Sequence, residues 1–364
     1  MKKIKELVSW KYIIELIFMV AFYMMLDKSG IIKYVVAMCV SVAFLYFGRK
    51  KRWSADALIC VALPVVLYLT LGGVGTLLSG TPQATSVKEV LFWIVPLIVT
   101  FSVYTFYEQS MHHIVDIQFW ASCIAYLYPR LRFIIEHSIS ESTYAFVFGA
   151  FGIYYAYRRN WSKFAISMIL MYLANKRIAM LACAVALLIL FVQWVFKNSK
   201  ELMIVIWGVV STGIFYYVFL IHSGLLRYFC NRLGIDSKGR VQTYARFSEM
   251  YDFSPWFFGK GLGNIENILN QWQIKYYGNL HNDLLKFYLE IGFIGLLVFL
   301  AGYGIALIIA EKKFGKGPMS FMLSMVIYYM LLCATDNVSI YIIYLVPMYS
   351  MMFAVLALGK NDTC

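Results

Sequence analysis

The sequence predicts an all-α polytopic membrane protein with about twelve transmembrane helices (10–12) and one long extracytoplasmic loop between helices nine and ten. Three observations predict this class. Of the 364 residues, 62% are hydrophobic, only 14% are charged, and apolar runs of near-spanning length recur along the whole chain. Soluble domains are roughly half apolar and about a quarter charged, which excludes a soluble fold.

The apolar runs justify the helices one by one. Each run approaches the length of about 17 to 25 residues that crosses a bilayer, and the shortest runs are near the lower limit. The predicted helices lie at 12–26, 31–47, 57–72, 90–106, 114–128, 143–157, 162–175, 178–196, 202–221, 284–310, 319–334 and 339–358. One membrane domain results, which is divided into helices one to nine (1–221), the long loop (222–283) and helices ten to twelve (284–364).

The basic residues predict the orientation. With twelve helices and a cytoplasmic N-terminus, 17 of the 32 Lys and Arg residues fall in cytoplasmic segments and only seven in short outer segments. Cytoplasmic loops collect Lys and Arg, so both termini are predicted inside and the long loop outside. The net charge of +13 is therefore largely topological, and nucleic acid is not an expected partner.

Some basic residues lie where the topology does not require them. Arg130 and Arg132 follow the fifth helix, and Lys176 and Arg177 fill a short outer turn. The long loop adds Arg227, Arg232, Lys238, Arg240, Arg246, Lys260 and Lys275. As a set they predict an outer vestibule that attracts an anionic ligand, although each one taken alone is better explained as a solvated loop charge.

The long loop is predicted to contain a short amphipathic helix. Helical spacing places one polar and three aromatic residues on a single face, which could lie against the membrane domain. They are Arg240, Tyr244, Phe247 and Tyr251. Arg246 points elsewhere, and the glycines of the 259–263 segment predict a tight backbone turn.

Polar residues gather where the long loop meets the tenth helix. They are His281, Asn282, Asp283, Lys286 and Glu290. Ionisable groups are costly in lipid, so they usually have a partner or a function. Two structural explanations stay open: Asn282 or Asp283 caps the helix, and Lys286 with Glu290 forms an i,i+4 pair.

The sequence shows no metal or cofactor motif. It contains no HExxH segment, no Gly-rich P-loop, and no Asp-x-Asp pair on the predicted outer side. The seven cysteines show neither a CxxC pair nor a disulfide framework. No metal site and no cofactor are therefore predicted.

The order of motifs resembles the O-antigen polymerase and O-antigen ligase superfamily of bacterial envelope glycosyltransferases. SKGR at 237–240 precedes the aromatic helix, Pro255 and GKGLGN follow it, and HNDLLKFYLEIGFIG begins at His281. The outer turn NKRIAM at 175–180 is similar to a further family segment, with Asn-Lys where many relatives have Ser.

The resemblance implies an enzyme on the outer face of the bacterial cytoplasmic (inner) membrane. It would be a metal-independent, cofactor-free glycosyltransferase that polymerises polyprenyl-diphosphate-linked oligosaccharide repeat units into O-antigen or capsular polysaccharide. The lipid-linked oligosaccharide would be both donor and acceptor. Other implied partners are the lipid bilayer, a chain-length regulator and a flippase.

The resemblance also assigns roles by motif. His281 matches the catalytic histidine and Glu290 the family carboxylate. Arg240 and Arg177 match the arginines that hold the diphosphate, and Lys176 is expected to share that role. The remaining outer candidates for diphosphate binding are Arg246, Arg130 and Arg132.

Three other functions stay open. A ligase would use the same donor and transfer the glycan to lipid A core or another acceptor. A flippase for lipid-linked glycans would suit twelve helices, but its cations are expected deep in the bundle rather than in outer segments. A structural membrane partner of the same assembly would not depend on the chemistry of His281.

Overall fold

The computed structural model describes residues 10–26, 32–48, 54–79, 84–135, 141–197, 199–234, 239–272 and 280–359. All regular secondary structure within those ranges is helical. In chain order the helices are α1 (Trp10–Leu26), α2 (Ile32–Gly48), α3 (Ala55–Leu78), α4 (Ala84–Tyr107), α5 (Met111–Ile135), α6 (Tyr144–Tyr157), α7 (Trp161–Leu173), α8 (Arg177–Val195), α9 (Lys200–His222), α10 (Leu225–Arg232), α11 (Arg240–Ser248), α12 (Asn264–Gln271), α13 (Asp283–Phe314), α14 (Lys316–Cys333) and α15 (Ile342–Gly359). Two short 3-10 turns lie at Glu108–Ser110 and Val338–Ile340.

A helix lies at each of the twelve predicted positions, with its ends shifted by several residues. Among the described residues, seven helices are long and apolar enough to cross a membrane, judged by length and composition. They are α3, α4, α8, α9, α13, α14 and α15. The all-helical class is therefore confirmed, whereas twelve membrane spans remain a prediction.

Helix α13 is the central element of the bundle. It packs most extensively against α3 and also contacts α14 and α9. Its first ten residues, 283–292, are all buried. Around it, the ring of Tyr68 lies 4.7 Å from Trp93 and 5.2 Å from Phe287, and Phe299 completes the aromatic cluster. Such ring pairs add about 0.5–1.5 kcal/mol each beyond the area they bury.

The long loop docks onto a break in α13. Gly292 has φ 75° and ψ −175°, so the helical hydrogen-bond ladder is interrupted there. The N–H groups of Lys260 and Gly261 donate to the carbonyls of Leu289 and Glu290, at 2.8 and 3.0 Å. An unpaired carbonyl in a membrane is costly, so the loop backbone replaces the partners that the break removes.

The glycine segment forms the tight turn that the sequence predicts. Gly259, Gly261 and Gly263 have φ values of 85°, 85° and 71°, which side chains rarely adopt. A β-carbon on Gly261 would lie 2.6 Å from the backbone nitrogen of Thr76. The glycines therefore allow the loop to approach α3 and α13 at backbone distance.

The predicted aromatic face of α11 is also confirmed. Tyr244, Phe247 and Tyr251 are buried, and Arg246 is exposed on the opposite side. The helix ends at Ser248, so Tyr251 reaches the same interface from the turn that follows.

Connections predicted on one side of the membrane lie at one end of the bundle. At one end, the N–H of Ser142 donates to the carbonyl of Ala174 at 3.0 Å, and Lys176 forms an ion pair with Asp336. At the other end, Lys313 lies 3.5 Å from Asp56. This grouping is what the predicted topology requires, and the side each end faces remains a prediction.

Replacing Gly292 tests whether docking at the break stabilises the fold. In Gly292→Ala the β-carbon would meet the carbonyl oxygen of Phe257, at a φ that favours glycine. We therefore expect the free energy of unfolding to fall by about 1–3 kcal/mol or more. The matched control is Gly73→Ala in α3, where a β-carbon meets nothing within 4 Å. Thermal unfolding in detergent should show a lower midpoint for Gly292→Ala alone, and equal midpoints would contradict the docking argument.

Candidate active site

A carboxylate that was not a predicted site residue lies at the centre of the polar cluster at one end of the bundle. Asp336 follows α14, and its Oδ2 accepts a hydrogen bond from the ammonium of Lys176. Its Oδ1 accepts from the hydroxyl of Tyr341 at 3.0 Å and from the N–H of Asn337 at 2.8 Å. The Asp336 side chain is only 4% exposed, so these contacts replace water around its charge.

His281 lies against this carboxylate. Its Nδ1 is 3.6 Å from Oδ1 of Asp336, just beyond hydrogen-bond distance, and its side chain is 30% exposed. Within the described part of the chain, Nδ1 makes no hydrogen bond, and no hydrogen bond of Nε2 is found there either. The imidazole therefore has one nitrogen directed towards a fixed carboxylate and one left for a ligand.

The backbone around His281 is held from both sides. His281 has φ 53°, an uncommon conformation for a residue other than glycine, and its carbonyl accepts from the hydroxyl of Tyr244 at 2.9 Å. The next residue, Asn282, is the N-cap of α13, because its Oδ1 accepts from the N–H of Leu285 at 3.0 Å. The N–H of Asn282 in turn donates to Oδ1 of Asn337 at 3.2 Å. The predicted cap by Asn282 is confirmed, and it fixes the position from which His281 projects.

The charge state of Asp336 follows from its neighbours. Burial alone raises the pKa of a carboxyl group, but His281 and the ammonium of Lys176 both favour the ionised form and outweigh burial. The pKa of Asp336 therefore lies well below its ordinary value. The pKa of the Tyr341 hydroxyl is raised, first by burial and then by this carboxylate, so Tyr341 remains a donor.

The predicted anion-binding residues differ in how much of their charge and how many of their hydrogen-bond donors are already used by protein partners. Nη1 of Arg240 donates to the carbonyl of Thr335 at 2.9 Å, which uses one of five guanidinium donors. Lys176 is neutralised by Asp336, and its ammonium also lies 4.5 Å from the ring centre of Phe146. Arg177, the first residue of α8, is exposed. Among the described candidates, Arg240 therefore keeps free donors next to the carboxylate that faces His281, and Arg177 is an exposed cation one residue after Lys176.

Two predicted candidates do not join this cluster. Arg246 is exposed on the last turn of α11. The guanidinium of Arg130 lies over the rings of Tyr126 and Tyr144, at 5.2 and 5.6 Å. The side chain of Arg132 lies outside the described residues. These interactions give the first two residues structural or surface explanations that the sequence could not exclude.

Glu290 belongs to a different cluster. It lies two helical turns after Asp283, roughly 10 Å along the axis of α13. Its carboxylate accepts from the hydroxyl of Tyr68 and from the N–H of Gly263 at 3.0 Å, and it is fully buried. The carboxylate that faces His281 is Asp336, and the contacts of Glu290 fasten the glycine turn of the long loop to α13.

The i,i+4 ion pair between Lys286 and Glu290, which the sequence left open, does not form. Nζ of Lys286 instead donates to Oε2 of Glu89 in α4 at 2.6 Å. Oε1 of Glu89 accepts from the indole N–H of Trp93 at 3.0 Å. The ion pair therefore joins two helices, because Glu89 offers a partner across the interface.

Two acidic residues were missed for identifiable reasons. Asp336 lies in a four-residue connection between two predicted helices, where an acid is ordinarily solvated, so its position does not by itself indicate a buried partner. Glu89 immediately precedes the predicted fourth helix, which in the structure begins six residues earlier than predicted, at Ala84. An acid beside an apolar run is the signal that could have identified both.

The comparisons with known proteins address the family. Residues 162–300 match a protein-family model described as O-antigen ligase. The matched segment contains Lys176, Arg177, Arg240, His281 and Glu290 and ends before Asp336. The comparison with curated proteins found no match. The match confirms the resemblance stated from the motifs and supports a glycan-transferring enzyme, and it does not distinguish a polymerase from a ligase.

The stability of the protein should depend on the charge of Asp336 in a defined pH range. A carboxylate whose folded-state pKa is depressed contributes stability that is complete above the unfolded value of about 4 and is lost as the pH falls through the folded value. Asp336→Asn should therefore lower the free energy of unfolding by roughly 3 kcal/mol at neutral pH. The difference in stability from wild type should shrink only below about pH 4.

Thermal unfolding as a function of pH measures this difference. The control is Asp252→Asn, which alters an exposed acid of the long loop and should change little at any pH. A difference between wild type and Asp336→Asn that already shrinks near pH 6 would show that Asp336 is not held ionised by its neighbours.

Proposed function

We propose that this chain, whose residues 162–300 match a family model described as O-antigen ligase, joins polyprenyl-diphosphate-linked oligosaccharide repeats into a polysaccharide. The observation that carries the proposal is the convergence of three distant segments on His281. They contribute Lys176 from the α7–α8 turn, Arg240 from the long loop and Asp336 from the α14–α15 connection. A base and cations in one half-exposed site are what glycosyl transfer from a diphosphate requires.

Arg240 and Arg177 hold the diphosphate of the donor. A guanidinium keeps its charge at any relevant pH and offers paired donors that match phosphate oxygens. Positive charge placed in advance stabilises the negative charge that develops on the leaving diphosphate. Lys176 contributes less to the donor than its sequence position suggests, because Asp336 already neutralises it.

His281 acts as the general base on the acceptor. As the acceptor hydroxyl oxygen attacks the anomeric carbon, its proton passes to Nε2 of His281. The new glycosidic C–O bond forms while the bond from the anomeric carbon to the phosphate oxygen breaks, and the polyprenyl diphosphate leaves with the bonding electron pair. Asp336 next to Nδ1 favours the tautomer in which Nε2 accepts the proton, and it stabilises the imidazolium that results.

The location supports the same reaction. The end of the bundle that carries His281 is the one that the Lys and Arg distribution predicts to be extracytoplasmic, with both termini in the cytoplasm. We place the reaction at the outer face of the cytoplasmic membrane, where a lipid-linked donor and a growing glycan can both reach the site. A chain-length regulator and a flippase are the protein partners that this reaction would use.

Ligation is the second candidate, and one observation favours it. The matching family model is described as an O-antigen ligase. Donor, base and cations would be the same, and the acceptor would be lipid A core or another non-repeat acceptor. The contacts around His281 fit either acceptor, so the product has to be measured.

Substitutions at His281 and Arg240 separate the base from the donor site. With purified protein and lipid-linked repeats, His281→Ala should lose about 10²–10⁴-fold in turnover while donor affinity survives. Arg240→Lys should lose donor affinity, because a lysine cannot offer a paired donor fork. The control is Arg232→Lys, an exposed arginine of α10 in the same loop, which should behave as wild type. Near-normal turnover of His281→Ala would contradict the assignment of His281 as the general base.

The product distinguishes polymerase from ligase. Gels of the surface glycan from a strain lacking the protein should show single repeats still attached to their acceptor and no ladder if the protein is a polymerase. A ligase-deficient strain should instead accumulate long glycan on the polyprenyl carrier with nothing on the final acceptor. In vitro, extension of lipid-linked repeats without any added second acceptor would support polymerisation, and failure to extend them would contradict it.

A further inference from the structure

Among the described residues, a groove opens at the end of the bundle opposite His281. It lies between α6, α7, α8 and the start of α14, and its volume is about 1630 Å³, counting the space open to the surroundings. The walls are mainly aromatic and aliphatic. They include Arg159, Trp161, Phe164, Leu187, Phe191 and Trp194.

The groove exists because two neighbouring helices are short. Helices α6 and α7 contain 14 and 13 residues, and α8 contains 19. At about 1.5 Å per residue, α8 therefore extends roughly 9 Å beyond the first residue of α7 at the end opposite His281. The start of α6, the end of α7 and the start of α8 are level at the His281 end, because the N–H of Ser142, just before α6, donates to the carbonyl of Ala174 in the α7–α8 turn.

The short hairpin leaves polar groups at an unfavourable depth. A helix of 13 or 14 residues falls well short of the hydrocarbon thickness of about 30 Å, so the α6–α7 turn does not reach the far surface unaided. That turn contains Arg158 and Arg159, both exposed, and the last two turns of α8 extend past it. A cation at this depth requires an anionic partner or a local thinning of the bilayer.

At the mouth of the groove, the backbone conformation of Arg159 is fixed by a hydrogen bond within the α6–α7 turn. Arg159 has φ 55°, and its N–H donates to the carbonyl of Ala156 at 3.1 Å, which fixes the turn. Trp161 and Trp194 lie on either side of the groove and are more than half exposed, and tryptophan favours the head-group region of a bilayer. Below them the lining is apolar.

We propose that the groove binds one anionic glycerophospholipid of the leaflet at that end. An acyl chain lies against Phe164, Leu187 and Phe191, and the phosphate contacts the guanidinium of Arg159. This occupant satisfies both observations, because it supplies an anion at the depth of the turn and apolar chain where α8 extends beyond α7. The proposal does not depend on the proposed glycosyl transfer.

Charge complementarity selects this occupant. An apolar partner helix would cover the aromatic walls and leave the charge of Arg159 buried without a partner. A zwitterionic lipid would offer the same chains with a head group of no net charge. A free phosphate would neutralise the guanidinium of Arg159 but would leave the apolar walls of the groove uncovered.

Lipid retention by the purified, delipidated full-length protein tests the proposal. Phosphatidylglycerol, phosphatidylcholine and free glycerol phosphate are titrated separately, and bound molecules are counted by native mass spectrometry. Thermal unfolding is measured in parallel, since a ligand that binds the folded state raises the midpoint. We expect one phosphatidylglycerol retained at concentrations where phosphatidylcholine and glycerol phosphate are not.

Two variants and a matched control locate the site. Arg159→Asn removes the charge while keeping a residue that tolerates positive φ, and it should weaken phosphatidylglycerol binding about five- to tenfold. Leu190→Trp narrows the groove and should weaken binding without a change of charge. The control Lys197→Asn alters another cation with φ 54° at the same end that does not line the groove, and it should bind as wild type.

The outcomes separate the possibilities. Equal retention of phosphatidylglycerol and phosphatidylcholine, or equal losses in Arg159→Asn and Lys197→Asn, would overturn the proposal in favour of general surface charge. Binding of glycerol phosphate alone would show an anion site without a lipid. Absence of any retained lipid while all variants unfold like wild type would also overturn it.

Discussion

The buried contact between Asp336 and Lys176 is the interaction on which the candidate site depends. A carboxylate that is almost wholly buried would be strongly disfavoured alone, and one partner ammonium together with two hydrogen bonds offsets that penalty. The contact joins the α7–α8 turn to the α14–α15 connection. Because these segments are 160 residues apart, the position of the carboxylate beside His281 is a product of the whole fold.

Helix α13 connects this site to the rest of the bundle. Its first residue is placed by the Asn282 cap, and two turns further on Glu290 and the break at Gly292 hold the long loop. Between them, Lys286 is paired with Glu89 of α4. The three charged side chains along the buried part of α13 therefore each have a partner, which is the N–H of Ser339 for Asp283, Glu89 for Lys286, and Tyr68 with Gly263 for Glu290. Glu290, which the resemblance matches to the family carboxylate, therefore contacts the long loop and α3 rather than His281.

The two ends of the bundle satisfy their charges differently. At the His281 end, Asp336 and Thr335 supply protein partners for Lys176 and Arg240. At the opposite end, Lys163 pairs with Asp116 at 2.7 Å, whereas Arg159 lines an open apolar groove. The difference arises from helix length, because a short α6–α7 hairpin cannot cover the last turns of α8. A membrane lipid is the component of the surroundings that carries both features the groove requires.

The sequence by itself determined the helices, the glycine turn and the position of His281 at a helix mouth. These features are local: apolar runs of spanning length predict helices, turns with positive φ favour glycine, and an Asn just before an apolar run caps the helix. The tertiary structure decided which charges meet. Lys286 has an acid four residues away in the sequence, Glu290, but in the folded protein it pairs with Glu89. Lys176 has no acidic neighbour in its own turn, and the fold brings Asp336 against it. Pairing of buried charges depends on which helices are adjacent, and one sequence contains no direct record of adjacency between segments more than a hundred residues apart.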